Sequence, residues 1–378
     1  MMTEQMTSER QGILRGCMEP LLAWYRACGR DLPWRRTKDP YSIWVSEIML
    51  QQTRVETVIP YYERFLASLP SVRDLAVCPD DRLMKLWEGL GYYSRVRHMR
   101  EAASVIVSGH GGIFPHEPEI LLTLPGIGRY TAGAIASIAF GVPVAAVDGN
   151  VLRMVSRLTA DDRNILTDRM RRDTERVLTE EIERLSGKVR EDERSVPGSI
   201  NQGFMDLGSK ICLAHGRPAC GECPLEGQCA AHAAGTEEAY PVRPAKKKRK
   251  ITERTVLLIL EGDKVALKKR PDQGLLAGLY EYPAFDGTMT EKEAAEEASA
   301  LGFVPGSIRK LPGAVHVFTH LEWHMTGYEI RALSVNTGKT AGNGVFLADV
   351  RDVEKRYAVP SAYRAYSELL SSSGERNT

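Results

Sequence analysis

Apolar positions recur at three- and four-residue intervals through residues 10–230. Helical-period runs cover 41–53, 55–68, 82–90, 95–108, 118–123, 130–140, 148–158 and 168–185, broken by Pro or Gly turns. From 231 to 250 the composition shifts to Ala, Gly, Glu, Pro and Lys, including Tyr240-Pro-Val-Arg-Pro244, which reads as a semi-stiff linker. Beyond it the period shortens. Thr255–Leu260, Lys264–Lys269, Val315–Phe318 and Trp323–Leu333 read as strands, and Glu291–Ala300 as a helix. The pattern predicts a helical domain over 1–232, a linker over 233–251 and a smaller α+β domain over 252–370. No internal repeat is visible.

The 378 residues are 43% hydrophobic and 26% charged, the balance of an ordinary globular protein. No run approaches the ~18 consecutive apolar residues of a membrane span. Met1–Arg15 is polar, with no apolar signal core, which points to the cytoplasm and away from membranes. Net charge is +1, from 50 basic and 49 acidic side chains, so global charge makes no case for a nucleic-acid partner. Only Lys246-Lys-Lys-Arg-Lys250 is one-sided, and such a run serves either as a solvated linker or as a phosphate contact.

Seven cysteines are unevenly placed. Cys17, Cys28 and Cys78 are isolated and fit small buried hydrophobes. Cys212, Cys220, Cys223 and Cys229 fall within 18 residues, which in a cytosolic chain means metal before disulfide. Four thiolates suit an iron–sulfur cluster or zinc.

Leu124-Pro-Gly-Ile-Gly-Arg-Tyr-Thr-Ala-Gly133 is the most informative segment. Pro125 ends one element, Gly126 and Gly128 permit positive φ in a tight hairpin, and a helix restarts at Tyr130. Such a hairpin leaves backbone N–H groups free at a helix N-terminus, where a phosphate can dock; it could equally be a plain connector. Phe140-Gly-Val-Pro then leads through an apolar run to Asp148-Gly-Asn150. Asp148 opens the helix Val151–Leu158, where it fits an N-cap.

This helix–hairpin–helix, Gly/Pro loop and Asp resemble the helix–hairpin–helix superfamily of DNA glycosylases. The four cysteines narrow the resemblance to its endonuclease III and MutY branch. Leu32-Pro-Trp-Arg-Arg36, Trp44-Val-Ser-Glu-Ile-Met-Leu-Gln-Gln-Thr53 and Gly89-Leu-Gly-Tyr-Tyr-Ser-Arg95 are similar to the MutY, or adenine DNA glycosylase, family over roughly residues 30–365. The implied fold is multi-domain. A mainly α helix–hairpin–helix glycosylase domain (hairpin 118–140, iron–sulfur loop 212–229) precedes an α+β MutT/Nudix-like domain.

The resemblance implies excision of adenine mispaired with 8-oxoguanine or guanine in duplex DNA, by a DNA-associated monomer. Enzymes that also cut the backbone place a nucleophilic Lys in the first turn after the hairpin. Tyr130 stands there, which implies base release alone. Adenine must be protonated to leave, and the sugar then carries oxocarbenium character that a carboxylate can stabilise. By resemblance Glu47, among Ile48, Met49 and Leu50, is the acid acting on N7. Asp148 stabilises the cation, and Tyr130 and Asn150 orient the pair. Trp34, Arg35 and Gln202 match positions lining the adenine pocket. Gln52, Leu90 and Tyr92 match residues that enter the duplex.

The spacing Cys212-x7-Cys220-x2-Cys223-x5-Cys229 resembles the family's 4Fe–4S loop with one extra residue in its first gap. Gly274–Pro283 and Val317-Phe-Thr-His-Leu321 resemble the family's MutT-like domain, in which Phe318, Thr319 and His320 would probe 8-oxoguanine. The family has Ser where this chain has Thr319. A Nudix hydrolase box laid from Gly278 finds Ala284 and Lys292 where it needs Glu and Arg. Glu293, Glu296 and Glu297 do fall in register, either as a cation site or as a solvated acidic face. Two rival readings remain: a bifunctional lyase, which Tyr130 disfavours, and a non-catalytic mismatch binder or nucleotide hydrolase.

Overall fold

The computed structural model describes residues 6–189, 195–244 and 248–374, the side chains of 371–374 excepted. Contacts divide it into two compact units, Met1–Val77 with Arg97–Ala245, and Cys78–Val96 with Lys246–Thr378. The helices run α1 (Ser8–Cys28), α2 (Pro40–Met49), α3 (Val55–Ser68), α4 (Val72–Ala76), α5 (Asp80–Trp87), α6 (Ser94–Gly109), α7 (Pro118–Leu121), α8 (Arg129–Phe140), α9 (Gly149–Leu158), α10 (Asp168–Ser186), α11 (Val196–Lys210) and α12 (Ala230–Ala233). The remaining elements are β1 (Lys250–Glu261), β2 (Lys264–Lys269), β3 (Tyr280–Glu281), β4 (Ala284–Asp286), α13 (Glu291–Leu301), β5 (Phe303–Val317), β6 (Leu321–Val335), α14 (Thr337–Gly342), β7 (Val345–Asp349), α15 (Val350–Arg356) and α16 (Arg364–Gly374). No described helix is long and apolar enough to cross a membrane.

In the first unit, apolar faces of α1, α9, α10 and α11 meet in one core around Leu14, Met18, Leu152, Val155, Ile182, Ile200 and Phe204. Every helical run expected from the periodicity is present to within a few residues at its ends. Helix α1 lies outside those runs, and so does α11. In α11, Pro197 and three glycines weaken the helix signal, and the helix is buried on nearly all sides, so no polar face alternates with an apolar one.

The second unit is built on a seven-stranded sheet with the path β3-β2-β1-β6-β5. β1 pairs parallel with β6 from Lys250↔Leu321 to Leu260↔Arg331. The unbroken apolar run of β1 is explained by burial on both faces. Val256, Leu258 and Leu260 enter one core, Leu257 and Ile259 the other. Residues 78–96, placed in the helical domain by the sequence, group instead with this sheet. Asp81 Oδ1 accepts from Lys269 Nζ at 2.9 Å, and Glu88 Oε1 from the Val359 amide at 2.9 Å. Residues 233–244, read from the sequence as linker, group with the first unit. Lys246 and Lys247 of the basic run lie outside the described residues; Arg249 pairs with Glu322 at 3.5 Å and Lys250 begins β1.

Candidate active site

Four backbone segments of the first unit converge. Helix α2 supplies Glu47, α8 supplies Tyr130, the start of α9 supplies Asp148 and Asn150, and the turn Pro33–Arg35 supplies Arg35. Gly133 allows the approach of α8 to the run before Asp148, since a Cβ there would stand 2.7 Å from the Ala145 carbonyl oxygen. Asn201 of α11 then pins that run. Its Oδ1 accepts from the Ala146 amide at 2.9 Å, and its Nδ2 donates to Val144 O at 2.9 Å and Ser137 Oγ at 2.8 Å.

Glu47 is 4% exposed, among buried Trp44, Ile48 and Met49. Burial pushes its carboxyl up to about 7, against the Tyr130 hydrogen bond and the Arg35 charge; the Asp148 charge adds to the rise. Tyr130 is itself pushed well above the ordinary phenol value, by burial first and by Glu47 and Asp148 next.

Asp148 is the N-cap of α9. Its Oδ1 accepts from the Asn150 and Val151 amides, both at 2.8 Å, and its Oδ2 from Asn150 Nδ2 at 2.7 Å. A helix N-terminus favours the ionised carboxylate. Asn150 Oδ1 in turn accepts from Arg153 Nη1 at 2.8 Å. The four residues form two hydrogen-bonded pairs, Glu47 with Tyr130 and Asp148 with Asn150.

Arg35 and Gln202 line one cavity with Lys38, Ile138, Ser195 and Ser199, about 1050 Å³ of empty space including its open mouth. Arg35 is fixed there by Asp206, with Nη1 to Oδ2 at 2.5 Å and Nη2 to Oδ1 at 2.9 Å, and Arg30 Nε reaches Oδ1 at 2.6 Å. Burial alone would raise the Asp206 carboxyl, but the two arginines hold it below the ordinary carboxylate value. Trp34 is buried and packs edge-on against Tyr62 at 5.3 Å, outside that lining. The sequence reading missed Asp206, Arg30 and Asn201. Arg30, Arg35 and Arg36 fall within seven residues, with Asp31 among them and Asp39 just beyond, a local excess of positive charge that was the available signal for a distant buried acid.

In the hairpin, Gly126 has φ +73°, and a Cβ there would meet His98 Cβ at 2.6 Å. Gly128 departs from expectation. Its φ is −90°, it is the N-cap of α8, and a Cβ would meet nothing within 4 Å, so the turn geometry itself does not require glycine.

Gln52 is exposed at φ +59° and Tyr92 is 48% exposed at φ +47°, a conformation that costs a non-glycine residue of order 1 kcal/mol or more. Both were expected to enter a duplex. Leu90, expected beside them, is only 5% exposed and points inward between Gly89 (φ +98°) and Gly91 (φ +69°). In the second unit Phe318–Leu321 closes a turn, with Phe318 N donating to Leu321 O at 2.8 Å. The Phe318 ring packs on Trp323 at 4.9 Å and His316 at 4.6 Å, which leaves Thr319 and His320 exposed. Thr319 Oγ1 and the Tyr92 hydroxyl lie 2.6 Å apart. Glu293 forms the capping box of α13 with Thr290, and Glu296 faces Lys292 at 3.9 Å; among the described residues Glu293, Glu296 and Glu297 do not form a group whose ligand atoms could converge on one metal ion.

Cys212, Cys220, Cys223 and Cys229 are free thiols lining a cavity of about 430 Å³ of empty space. Burial pushes the Cys220 and Cys223 thiols up to about 11, and neighbouring thiolates and, at Cys220, Glu237 add to it. Such a set ionises readily only around a cation. Arg157 Nη1 donates to Cys212 Sγ at 3.2 Å. Between Cys212 and Cys220, residues 214–217 form an exposed bulge that the Ala219 N to Ile211 O bond, 3.0 Å, closes behind it. Cys220, His232 and Glu237 also bring one ligand atom each within 4.8 Å of one another.

The sequence matches the family described as HhH-GPD superfamily base excision DNA repair protein over residues 45–180, and a NUDIX domain over residues 255–369. An adenine DNA glycosylase of Buchnera aphidicola subsp. Acyrthosiphon pisum is 33% identical over 314 residues, covering 82% of this chain and 85% of its own. The chain belongs to the adenine DNA glycosylases. The glycosylase of Arabidopsis thaliana is 37% identical over 305 residues, 70% of this chain and 46% of that one. The Homo sapiens glycosylase is 35% identical over 364 residues, 80% and 64% respectively. The chain thus spans less than two thirds of the length of these two adenine DNA glycosylases.

Proposed function

We propose that the chain is a monofunctional adenine DNA glycosylase. It would flip adenine out of duplex DNA where it faces 8-oxoguanine or guanine, and hydrolyse the N-glycosidic bond as the first step of base excision repair. The observation that carries this reading is the pair of carboxyls in opposite environments, Glu47 buried and raised to about 7 beside Tyr130, and Asp148 capping the start of α9 with its oxygens held by the Asn150 and Val151 amides and Asn150 Nδ2. Glu47 protonates adenine N7, the base leaves C1′ as a neutral species, and Asp148 stabilises the oxocarbenium ion until water adds. Tyr130 holds the acid and Asn150 holds the anion. With Tyr130 at the Schiff-base position no amine is placed to attack the sugar, so the backbone stays intact. Arg35, Gln202 and Trp34 serve the flipped base, and the N-terminus of α8 behind Gly126 and Gly128 serves a phosphate.

The test is single-turnover excision from duplexes carrying one A opposite 8-oxoguanine, G, T or C, with and without alkali. Alkali-dependent cleavage of the A strand opposite 8-oxoguanine and G supports the reading. Cleavage without alkali would replace it with the lyase, and no cleavage at all with a mismatch binder.

Phe318, Thr319 and His320 read the opposite base in this proposal. Replacing all three by Ala should lower the preference for A:8-oxoguanine over A:G by about tenfold, with A:G excision still measurable. Equal losses on both substrates would remove the reading role.

Cys212, Cys220, Cys223 and Cys229 hold one 4Fe–4S cluster, a structural unit that ties residues 211–229 to α9. The isolated protein should contain iron and acid-labile sulfide in equal amounts and no zinc, and Cys223→Ser should lose both. Stoichiometric zinc would reassign the site. One chain carries all of these residues, so a monomer bound to double-stranded DNA suffices.

A further inference from the structure

Tyr25 of α1 is 1% exposed, yet it is not simply core. Its hydroxyl donates to Gln202 Oε1 of α11. Its ring lies beneath Arg35, whose guanidinium carbon is 5.4 Å from the ring centroid. Arg35 and Gln202 line one cavity together with Lys38, Ser195 and Ser199, and they are the two polar side chains proposed above to serve the flipped base. Asp206 fixes one edge of the Arg35 guanidinium through two hydrogen bonds, and the Tyr25 ring supports its plane. Gln202 has no comparable anchor, because Tyr25 is its only side-chain partner among the hydrogen bonds of the described residues. A primary amide free to rotate presents a donor and an acceptor interchangeably. One whose oxygen is held by a hydroxyl keeps its N–H₂ end as the uncommitted group.

We propose that Tyr25 is a positioning residue for this pocket, setting the orientation of the Gln202 amide through its hydroxyl and supporting Arg35 through its ring. The inference rests on reading the cavity as the base pocket. Tyr25 touches neither base nor sugar; it acts through Gln202.

Tyr25→Phe keeps the ring and its packing and removes only the hydroxyl. It is compared with Gln202→Leu and the double variant in single-turnover adenine excision, duplex affinity and thermal unfolding. The Gln202 side-chain amide resonances are followed in ¹⁵N-labelled protein. Loss of one oriented hydrogen bond predicts about a tenfold slower excision by Tyr25→Phe, with duplex affinity unchanged. The double variant should be no slower than Gln202→Leu, since both changes remove the same contact. The Gln202 amide resonances should shift in Tyr25→Phe. Wild-type excision by Tyr25→Phe, or losses that multiply in the double variant, would overturn the inference. If the wild-type protein releases no adenine, the functional reading fails first. The resonances then decide alone: moved, they support the positioning role, and unmoved, they overturn it.

Discussion

Asp148→Asn should lower adenine excision by about 10³-fold or more while leaving duplex binding and thermal stability close to wild type. The separation follows from the two jobs of the side chain. As a cap it offers Oδ1 to the Asn150 and Val151 amides, and an asparagine oxygen does the same, so the cost to the helix is a few tenths of a kcal/mol at most. In the proposed mechanism its carboxylate is the electrostatic partner of the sugar cation, a role a neutral amide does not fill. The one local conflict is with Asn150, whose Nδ2 now donates to Asp148 Oδ2 and would meet another N–H₂ group. Single-turnover kinetics beside a duplex titration and a melting curve measure all three quantities. Excision retained within tenfold of wild type would move the stabilising charge elsewhere. A large fall in melting temperature would make the residue a cap above all.

How much of this was legible beforehand depends on whether a segment reveals its environment locally. The hairpin, the carboxylate at the start of α9 and the four clustered cysteines are short-range patterns, and their spacing alone exposes them. Gln202 could be reached only through family likeness, because α11 has no polar face to show the 3.6-residue period and two of its first three residues are Pro197 and Gly198. The partners Tyr25 and Asp206 depend on packing between α1 and α11, far apart in sequence, and no local pattern encodes that.

The second unit gives a sharper case. Val315–Phe318 read as a short strand, and upstream of it stand Pro305-Gly306 and Pro312-Gly313, pairs that commonly punctuate turns. In the structure both pairs lie within the single long strand β5. Its register against β6 shifts between Val304 and Pro305, between Pro305 and Ser307, and between Leu311 and Ala314. An edge strand tolerates this, since a proline without an N–H loses no ladder bond on its open side and a bulge absorbs the extra residue. The burial of Leu90 is likewise not visible in the sequence. It lies 5% exposed between two glycines at positive φ, and a residue-by-residue match to a family motif carries no such backbone information.

Glu47→Gln should abolish most excision and yet make the helical unit more stable above neutral pH. The carboxyl is raised from 4.5 to about 7 by burial, so the folded protein holds a proton between those values that the unfolded chain has released. Stability therefore falls as pH rises from about 4.5 to about 7, and beyond that the full penalty of a buried charge is present. A shift of that size corresponds to about 3 kcal/mol. Glutamine removes the penalty while its oxygen still accepts from Tyr130. Urea unfolding should show the variant ahead of wild type by about 3 kcal/mol at pH 8 and level with it at pH 4.5. The same titration shapes the wild-type rate. Excision that needs the protonated form should drop by about tenfold for each pH unit above 7 and level off below 6. A rate flat from pH 6 to 8.5, or a variant no more stable at pH 8 than at 4.5, would remove Glu47 as the acid. The arrangement that destabilises the fold at working pH is the same one that keeps a proton ready for the base, and a single isosteric change should exchange one for the other.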